Sequence, residues 1–162
     1  MTTTPDAAED DRLFGELYPA LRRFAAVVAS DDLDPDDLLQ EAVARTLRGG
    51  PLHRLDAPAA YLRTAMTNLA ANHDRSRGRE RRAHGRVAAA LDDEQQASYP
   101  SDLDDLAALR PADRAVLYLA DVERLPLDEV ARIVGTSTTN VRARASRARK
   151  RLARALTEGA DR

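Results

Sequence analysis

Apolar residues recur at intervals of three and four along most of the chain, and no segment shows the strict alternation of a half-buried strand. This pattern predicts a first helix from Leu13 to Ser30. A second helix is predicted to begin near Asp34, which can cap it, and to end at Gly49-Gly50-Pro51. A third is predicted to begin after Asp56 and to run until the SRGRERR segment. The sequence therefore predicts an all-α fold.

The same pattern divides the chain into two small helical domains. Clear periodicity is lost over residues 83–100, which are predicted to form a flexible linker. The predicted domains cover residues 12–82 and 101–157, and residues 1–11 and 158–162 are predicted to be tails, the first of them disordered. With 162 residues and 43% hydrophobic content, the chain can form modest helical cores.

The C-terminal domain contains the pattern of a helix-turn-helix. Ser101-Asp102 and Pro111-Ala112-Asp113 each predict the start of a helix. A further helix ends at Gly135, because glycine readily takes the left-handed conformation of a helix C-terminus. The next helix is predicted from about Thr138 to Leu156, after a break so short that the two helices must cross steeply. Its predicted inward stripe is Val141, Ala145, Ala148, Leu152 and Ala155.

Arginine covers most of the remaining surface of this last helix, which points to DNA. Thr138, Thr139 and Asn140 place short hydrogen-bonding side chains at its start, where a recognition helix touches base edges. The arginines that follow can bind phosphates or guanine. The competing interpretation is a solvated surface helix.

Two helices of the N-terminal domain also have a polar face. The second helix has one opposite its apolar side, formed by Asp37, Gln40, Glu41, Arg45 and Arg48. The third helix has a polar stripe formed by Asn68, Asn72, Arg75 and Arg79, with Arg63 and Thr67 beside it. Amides next to arginines suit base edges next to phosphates. Taken alone, each face is explained as well by solvation.

Composition removes several classes of function. The chain has no cysteine, which excludes disulfides and thiolate metal sites, and His53, His73 and His84 are too scattered to suggest a metal site. We therefore expect no cofactor. The chain has no apolar run of membrane-spanning length, and its N-terminus is polar and acidic, so we expect a cytoplasmic protein that does not insert into membranes.

Charge alternates along the chain, although its net value is only −2. The net charge is −8 over residues 1–41, +7 over 42–87, −8 over 88–130 and +7 over 131–162. Two separate basic segments, each preceded by an acidic one, predict two nucleic-acid contacts and acidic faces with another role.

Four segments together resemble the extracytoplasmic-function group of the sigma-70 family, bacterial initiation factors that contain little beyond their regions 2 and 4. The segments are DPDDLLQEAVARTLR from Asp34, AAYLRTAMTNLAANHDRSR from Ala59, LRPADRAVLYL from Leu109, and Asp128 to Leu152. The helix-turn-helix alone occurs in many regulators, whereas this order and spacing is far more specific. The resemblance implies a region 2-like helical bundle and a region 4-like helix-turn-helix domain.

The resemblance also implies partners and site residues. In that family the acidic helix binds core RNA polymerase, which places Asp37, Gln40, Glu41 and Arg45 at that interface. The third helix is similar to the family's −10 reader, which implies promoter-DNA contacts for Arg63, Thr67, Asn68, Asn72, Arg75 and Arg79. The loop from Gly49 to Asp56 would help to form a pocket for a flipped base. An anti-sigma factor is a typical further partner.

The helix-turn-helix resembles the family's −35 reader in the major groove. The residues implied for that contact are Thr138, Thr139, Asn140, Arg142, Arg144, Ser146 and Arg147. No catalysis is expected of the chain, since the phosphodiester chemistry would belong to core polymerase.

Two other interpretations remain at this point. A stand-alone helix-turn-helix repressor or activator would explain the C-terminal domain, but it gives the acidic helix and the asparagine stripe no role. A nuclease metal site could use Asp31, Asp32, Asp34, Asp36 and Asp37, but their spacing does not fit a calcium loop, and helix capping already explains acids in a first turn.

Overall fold

We describe the protein from a computed structural model, which covers residues 5–88 and 109–160. Every regular element in these two ranges is helical, so the predicted all-α fold is confirmed. In chain order, the elements are α1 (Pro5–Val28), α2 (Pro35–Gly49), a 3₁₀ turn (Leu52–Arg54), α3 (Pro58–Ala88), α4 (Pro111–Leu117), which continues into a π-helical turn (Tyr118–Val122), α5 (Leu127–Val134) and α6 (Thr138–Ala160).

The start of α2 follows the predicted signals. The carboxylate of Asp34 accepts hydrogen bonds from the backbone nitrogens of Asp36 and Asp37 at 2.7 and 3.2 Å. Pro35 occupies the first helical position, where its missing N–H leaves no hydrogen bond unmade. Acidic residues in this first turn also interact favourably with the helix dipole.

Helices α1, α2 and α3 pack around one apolar core. Its largest fully buried side chains in this half of the chain are Leu21, Phe24, Leu39, Leu52, Leu62 and Met66. The apolar residues of α1 are buried along its second half, while Leu13 and Leu17 are only partly buried. Burial of these side chains fixes which faces of α2 and α3 remain at the surface.

Helix α1 begins at Pro5, earlier than the predicted start at Leu13, so residues 5–11 are helical and are not a disordered tail. Long-range contacts hold this extension. The carboxylate of Asp10 accepts a hydrogen bond from the backbone nitrogen of His53 at 2.9 Å and lies 2.8 Å from Nδ1 of the same residue. Arg54 also donates to Asp6 at 3.2 Å. Local periodicity could not reveal such partners.

Helix α3 is longer than predicted. It extends to Ala88, so the first residues of the predicted 83–100 linker are helical. The remainder of that linker, and the helix start predicted at Ser101-Asp102, lie outside the described residues. The helix start predicted at Pro111 is confirmed.

The helix-turn-helix has the predicted construction. Gly135 ends α5 with φ 69° and ψ 44°, and its N–H donates to the carbonyl of Ala131. Ser137 then caps α6 by accepting a hydrogen bond from the backbone nitrogen of Asn140 at 3.2 Å. Val141, Ala145 and Ala148 on the inward stripe of α6 are buried, whereas Leu152 is only partly so.

The two domains pack against each other, which the sequence did not predict. Helices α4 and α5 contact α3, and α4 also contacts α1. The rings of Phe24 and Tyr118 lie 6.0 Å apart across this boundary. Arg114, which is 3% exposed, donates a hydrogen bond to the carbonyl of Val28 at 2.8 Å. One apolar core therefore continues from one domain into the other.

Two glycines in different conformations should respond oppositely to alanine. We expect Gly135→Ala to lower the free energy of unfolding by about 1–2 kcal/mol, because a Cβ is unfavourable in the left-handed conformation. Gly15→Ala should raise it by about 0.5–1 kcal/mol, since Gly15 lies inside α1 with open space at its Cβ position. Urea unfolding followed by circular dichroism measures both. Changes of the same sign would contradict this description of the turn.

Candidate nucleic-acid and protein-binding surfaces

The polar face predicted on α2 is at the surface. Asp37, Gln40, Glu41 and Arg45, which we call the α2 face, are all exposed, while Leu38, Leu39, Ala42 and Thr46 on the other side are buried. Nε of Arg45 donates to Oε1 of Glu41 at 2.6 Å, and a nitrogen of Arg48 lies 3.7 Å from the same oxygen. The hydrogen bond from Arg45, despite some opposing desolvation, lowers the pKa of Glu41. Glu41 therefore stays ionised at neutral pH.

The predicted stripe on α3 is also at the surface. Asn68, Asn72, Arg75 and Arg79, the α3 stripe, are exposed along the helix, opposite the buried Leu62, Met66 and Ala70. The guanidinium of Arg75 donates a hydrogen bond to the side-chain oxygen of Asn72. The amide and the guanidinium therefore form one continuous polar surface that can meet bases and phosphates together.

The α2 face and the α3 stripe border a common groove. This groove has a volume of about 520 Å³ and contains Asp37, Glu41 and Arg45 from one side and Asn72 and Arg79 from the other. Leu33, Leu38 and Leu69 supply apolar lining. Two surfaces that the sequence assigned to different partners are thus neighbours in space.

The structure places Arg63 and Thr67 away from solvent. They are only 9% and 3% exposed, because the C-terminal domain covers this side of α3. Nη2 of Arg63 donates to Oε2 of Glu123 at 2.7 Å, and Thr67 donates to the carbonyl of Arg63 at 2.8 Å. In this arrangement the two side chains do not extend the α3 stripe as the sequence predicted.

The end of the loop from Gly49 to Asp56 also faces the C-terminal domain. Leu55 and Asp56, together with Tyr61 of α3, line a cavity of about 330 Å³ whose opposite wall is Glu129, Arg132 and Ile133 of α5. The part of the loop predicted to help hold a base therefore borders the boundary between domains.

Most residues predicted for the major groove are exposed on α6. Thr139, Asn140, Arg142, Ser146 and Arg147, the α6 surface, point to solvent, and Thr138 at the first position is partly buried. Arg144 differs, because its guanidinium lies 3.7 Å from the carboxylate of Asp113 in α4 and only 35% of its side chain is exposed. Arg144 is thus directed toward its own domain.

Arg149 is an arginine of α6 with a structural partner. It donates two hydrogen bonds, of 2.9 and 2.6 Å, to the carboxylate of Asp121 in the π-helical turn. The hydrogen bonds raise the pKa of Arg149 and lower that of Asp121. This bidentate pair connects α6 to the turn after α4 and was not apparent from the sequence.

Asp32 fixes α3 relative to the loop between α1 and α2. Its carboxylate lies 2.7 Å from Nε2 of His73 and forms an ion pair with Arg77. Partial burial opposes ionisation of Asp32, but the hydrogen bonds from His73 and Arg77 outweigh it and lower the pKa to about 2. This contact helps to hold the α3 stripe beside the α2 face.

Three of the five aspartates considered for a nuclease have other partners. Asp32 binds His73 and Arg77, Asp34 caps α2, and Asp36 pairs with Arg22. No group of acidic or histidine side chains in the part of the chain that the structure describes could hold a metal ion. Within the same residues, none of the helices is both long and apolar enough to cross a lipid bilayer.

Two family profiles match the chain: Sigma-70 region 2 over residues 13–80, and Sigma-70, region 4 over residues 106–152. The RNA polymerase sigma-E factor of Streptomyces coelicolor is 34% identical over 137 residues, which cover 82% of this chain and 77% of that protein. The ECF RNA polymerase sigma factor SigM of Mycobacterium tuberculosis is 29% identical over 155 residues, which cover 90% of this chain and 76% of that protein.

A solved structure has the same fold. It is the sigma factor RpoE in complex with the anti-sigma factor NepR from Bartonella quintana. The two chains superpose with a TM-score of 0.66 at 23% sequence identity, and the match covers 91% of this chain and 96% of that chain.

The Asp32 contact predicts a specific dependence of stability on pH. A carboxyl whose pKa is lowered by folding stabilises the protein above its unfolded pKa of 3.8, and this contribution is lost as the pH falls toward about 2. We expect Asp32→Asn to be less stable than the native chain near pH 7 and the difference to shrink between pH 4 and 2. Urea unfolding at a series of pH values measures it.

Asp11→Asn is the matched control, because it removes an exposed carboxylate from α1. It should leave stability unchanged near pH 7. A constant difference between Asp32→Asn and the native chain at all pH values would contradict the assigned role of the ionised carboxylate.

Proposed function

The chain belongs to the extracytoplasmic-function group of the sigma-70 family of RNA polymerase sigma factors, and from this premise we propose how its surfaces divide the work of promoter-specific initiation. The partners of such a factor are core RNA polymerase and promoter DNA. The observation that carries the proposal is that an exposed acidic face and an exposed amide-arginine stripe border one groove, while a second basic surface lies on the other domain.

We assign the α2 face to core polymerase. Its carboxylates are exposed, that of Glu41 stays ionised at neutral pH, and the buried apolar residues of α2 lie on the side that faces its own core. Exposed charges of this kind steer a partner of opposite charge and set its orientation. A face that combines Asp37 and Glu41 with Arg45 suits a mixed polar surface on a protein better than it suits DNA phosphates.

We assign the α3 stripe to the −10 element. Asn68 and Asn72 can donate to and accept from the edges of unpaired bases, and Arg75 and Arg79 can neutralise the backbone that carries them. Extruding a base costs a few kcal/mol of unstacking, so the contacts that hold it must offset this. The adjoining groove of about 520 Å³ is larger than a single base requires, and it lies directly beside Asn72.

We assign the α6 surface to the −35 element in the major groove. The residues of the α6 surface all lie in the first half of α6, where a recognition helix meets base edges. Arg144 is the weakest candidate in the predicted set, because it faces Asp113. We expect Arg144 to affect DNA binding only indirectly, by holding α4 against α6.

The chain itself needs no catalytic group in this proposal, since the polymerase forms the phosphodiester bonds. A stand-alone repressor is not favoured, because it would leave both the α2 face and the α3 stripe without a partner. The Bartonella sigma factor RpoE was solved in complex with an anti-sigma factor, and we propose that this chain likewise binds such a partner.

The direct test is transcription in vitro with core RNA polymerase and a linear promoter library. We expect the purified chain to direct initiation from a restricted set of sites that core polymerase alone does not use. Sequencing the transcripts identifies them. Tight specific duplex binding by the chain alone, without any initiation, would support the repressor instead.

Single substitutions should impair three steps of initiation separately: binding to core polymerase, binding to the −35 element and promoter opening. Asp37→Ala should weaken binding to core polymerase in the absence of DNA, with an effect that shrinks as salt rises. Arg142→Ala should weaken binding of holoenzyme to the −35 element by about 1–3 kcal/mol. Asn68→Ala should slow promoter opening and leave the affinity of the closed complex unchanged. Filter binding measures the affinity of holoenzyme for the −35 element and of the closed complex. A fluorescent base analogue near −10 measures promoter opening.

Two variants are matched controls for these substitutions. Asp11→Ala removes an exposed carboxylate from α1, and Arg154→Ala removes an exposed arginine beyond the α6 surface. Both should behave as the native chain. Equal losses of closed-complex affinity in Asn68→Ala and Arg142→Ala would refute the division between the two DNA surfaces.

A further inference from the structure

We propose that Asp10 is a positioning residue for the −10 contact, because it holds the loop from Gly49 to Asp56 in the conformation that receives an extruded base. The loop follows α2 and leads into α3, and Asp10 lies in the part of α1 that the sequence did not predict to be helical. This role rests on the proposed assignment of α3 and its loop to the −10 element, whereas the contact of Asp10 with the loop does not depend on it.

The loop contains a helical turn that has no cap of its own. This 3₁₀ turn spans Leu52–Arg54, and Pro51, which precedes it, makes no side-chain hydrogen bond to the turn. The first N–H groups of a helical turn have no partner within it, and they need an acceptor when they are shielded from water. The acceptor must therefore come from another element.

Asp10 of α1 supplies that acceptor. Its Oδ1 atom accepts a hydrogen bond from the backbone nitrogen of His53 at 2.9 Å and lies 2.8 Å from Nδ1 of the same residue. Burial opposes ionisation of Asp10, but hydrogen bonds from the backbone and ring of His53 and from the backbone of Leu52 outweigh it and lower the pKa of Asp10. Since an ionised carboxylate can only accept, Nδ1 of His53 carries a proton. One carboxylate thus fixes both the backbone of the turn and the orientation of the His53 ring.

The contact between Asp10 and His53 is shielded from solvent. The two side chains are only 13% and 15% exposed. Hydrogen bonds to a charged group in such surroundings are strong and are screened little by salt. The neighbouring pair of Arg54 with Asp6 has side chains that are 67% and 54% exposed, so it adds little. Asp10 is therefore the stronger of the two polar restraints that α1 places on the loop.

The other contacts of the loop leave its conformation undetermined. Leu52 is 1% exposed and anchors the turn in the core at one point, about which the turn could still rotate. The chain enters the turn through Gly50, whose φ of 140° favours glycine and whose Cβ position has no atom within 4 Å. Neither residue prevents rotation of the turn. Asp10 supplies the second point of attachment that does.

The loop and the α3 stripe should meet different bases. Pro58, at the start of α3 and directly after the loop, and Asn68 are ten positions apart, which is about 15 Å along a helix. Bases stacked along one strand are only about 3.4 Å apart. A base held by the loop is therefore not the base that Asn68 meets. Displacement of the loop should change the preference for one base of the −10 element and leave the preference at the Asn68 position as it is.

The contact can be tested without DNA or polymerase, by hydrogen exchange of backbone amides followed by NMR. Asp10→Ala should make the amide of His53 exchange about tenfold faster, because a hydrogen bond to a charged acceptor is lost. Asp10→Asn keeps a neutral acceptor oxygen and should give an intermediate rate. The control Asp11→Ala removes an exposed carboxylate from the same helix and should change nothing. An unchanged rate for His53 in Asp10→Ala would overturn the contact.

The role in promoter recognition is measured with holoenzyme and a promoter library randomised over the −10 element. Asp10→Ala should slow opening of the preferred promoter about fivefold, which corresponds to about 1 kcal/mol, and flatten the preference at one position. Asn68→Ala should flatten the preference at a different position. Binding to core polymerase and closed-complex affinity should stay native in Asp10→Ala. Loss of preference at the same position in both variants would contradict a separate role for the loop.

A second control separates positioning from a general loss of stability. Val28→Ala shortens a fully buried side chain at the far end of α1, so it should lower the free energy of unfolding without touching the loop. Lower stability reduces the amount of active protein equally for every promoter, so Val28→Ala should keep the native base preference. Asp10→Asn should restore part of the preference that Asp10→Ala loses.

Native base preference in an Asp10→Ala chain whose His53 amide exchanges faster would overturn the positioning role and leave Asp10 as a structural cap. If Asn68→Ala also keeps the native preference, the −10 assignment itself fails. The hydrogen-exchange result still decides whether Asp10 holds the loop.

Discussion

The orientation of helix α3 is the constraint on which the other surfaces depend. Leu62 and Met66 point into the core with α1 and α2, the α3 stripe points to solvent, and Arg63 points to the C-terminal domain. Only one rotation of α3 about its own axis satisfies all three requirements. The contact of Asp32 with His73 and Arg77 adds a charged restraint on the same helix. A substitution on one side of α3 that changes this rotation therefore also displaces the residues on the other two sides.

The features that the sequence predicted correctly depend on residues close together in the chain. Asp34 caps α2 through nitrogens two and three positions away, and Gly135 needs only its own backbone angles to end α5. The α3 stripe follows from helical spacing alone, because the apolar residues that must be buried determine which side remains exposed. Helix type, several helix ends and most exposed candidate residues could thus be predicted without knowledge of the packing.

The features that the sequence could not show depend on residues far apart in the chain. Asp10 binds His53 across 43 positions, which is why the helix in residues 5–11 was not predicted. Arg63 binds Glu123 across 60 positions, and Arg144 turns toward Asp113 in another helix. A pattern of polar positions shows that an arginine is not in the apolar stripe. It does not show whether that arginine meets solvent, DNA or a carboxylate.

Ion pairs between segments explain part of the alternating charge along the chain. Acidic segments supply Asp32, Asp113, Asp121 and Glu123, and each of these binds an arginine from a basic segment. The pair of Arg63 with Glu123 is shielded from solvent, whereas contacts with DNA phosphates weaken steeply as salt rises. The Arg63–Glu123 pair is therefore expected to hold the two domains together at salt concentrations that weaken exposed ion pairs.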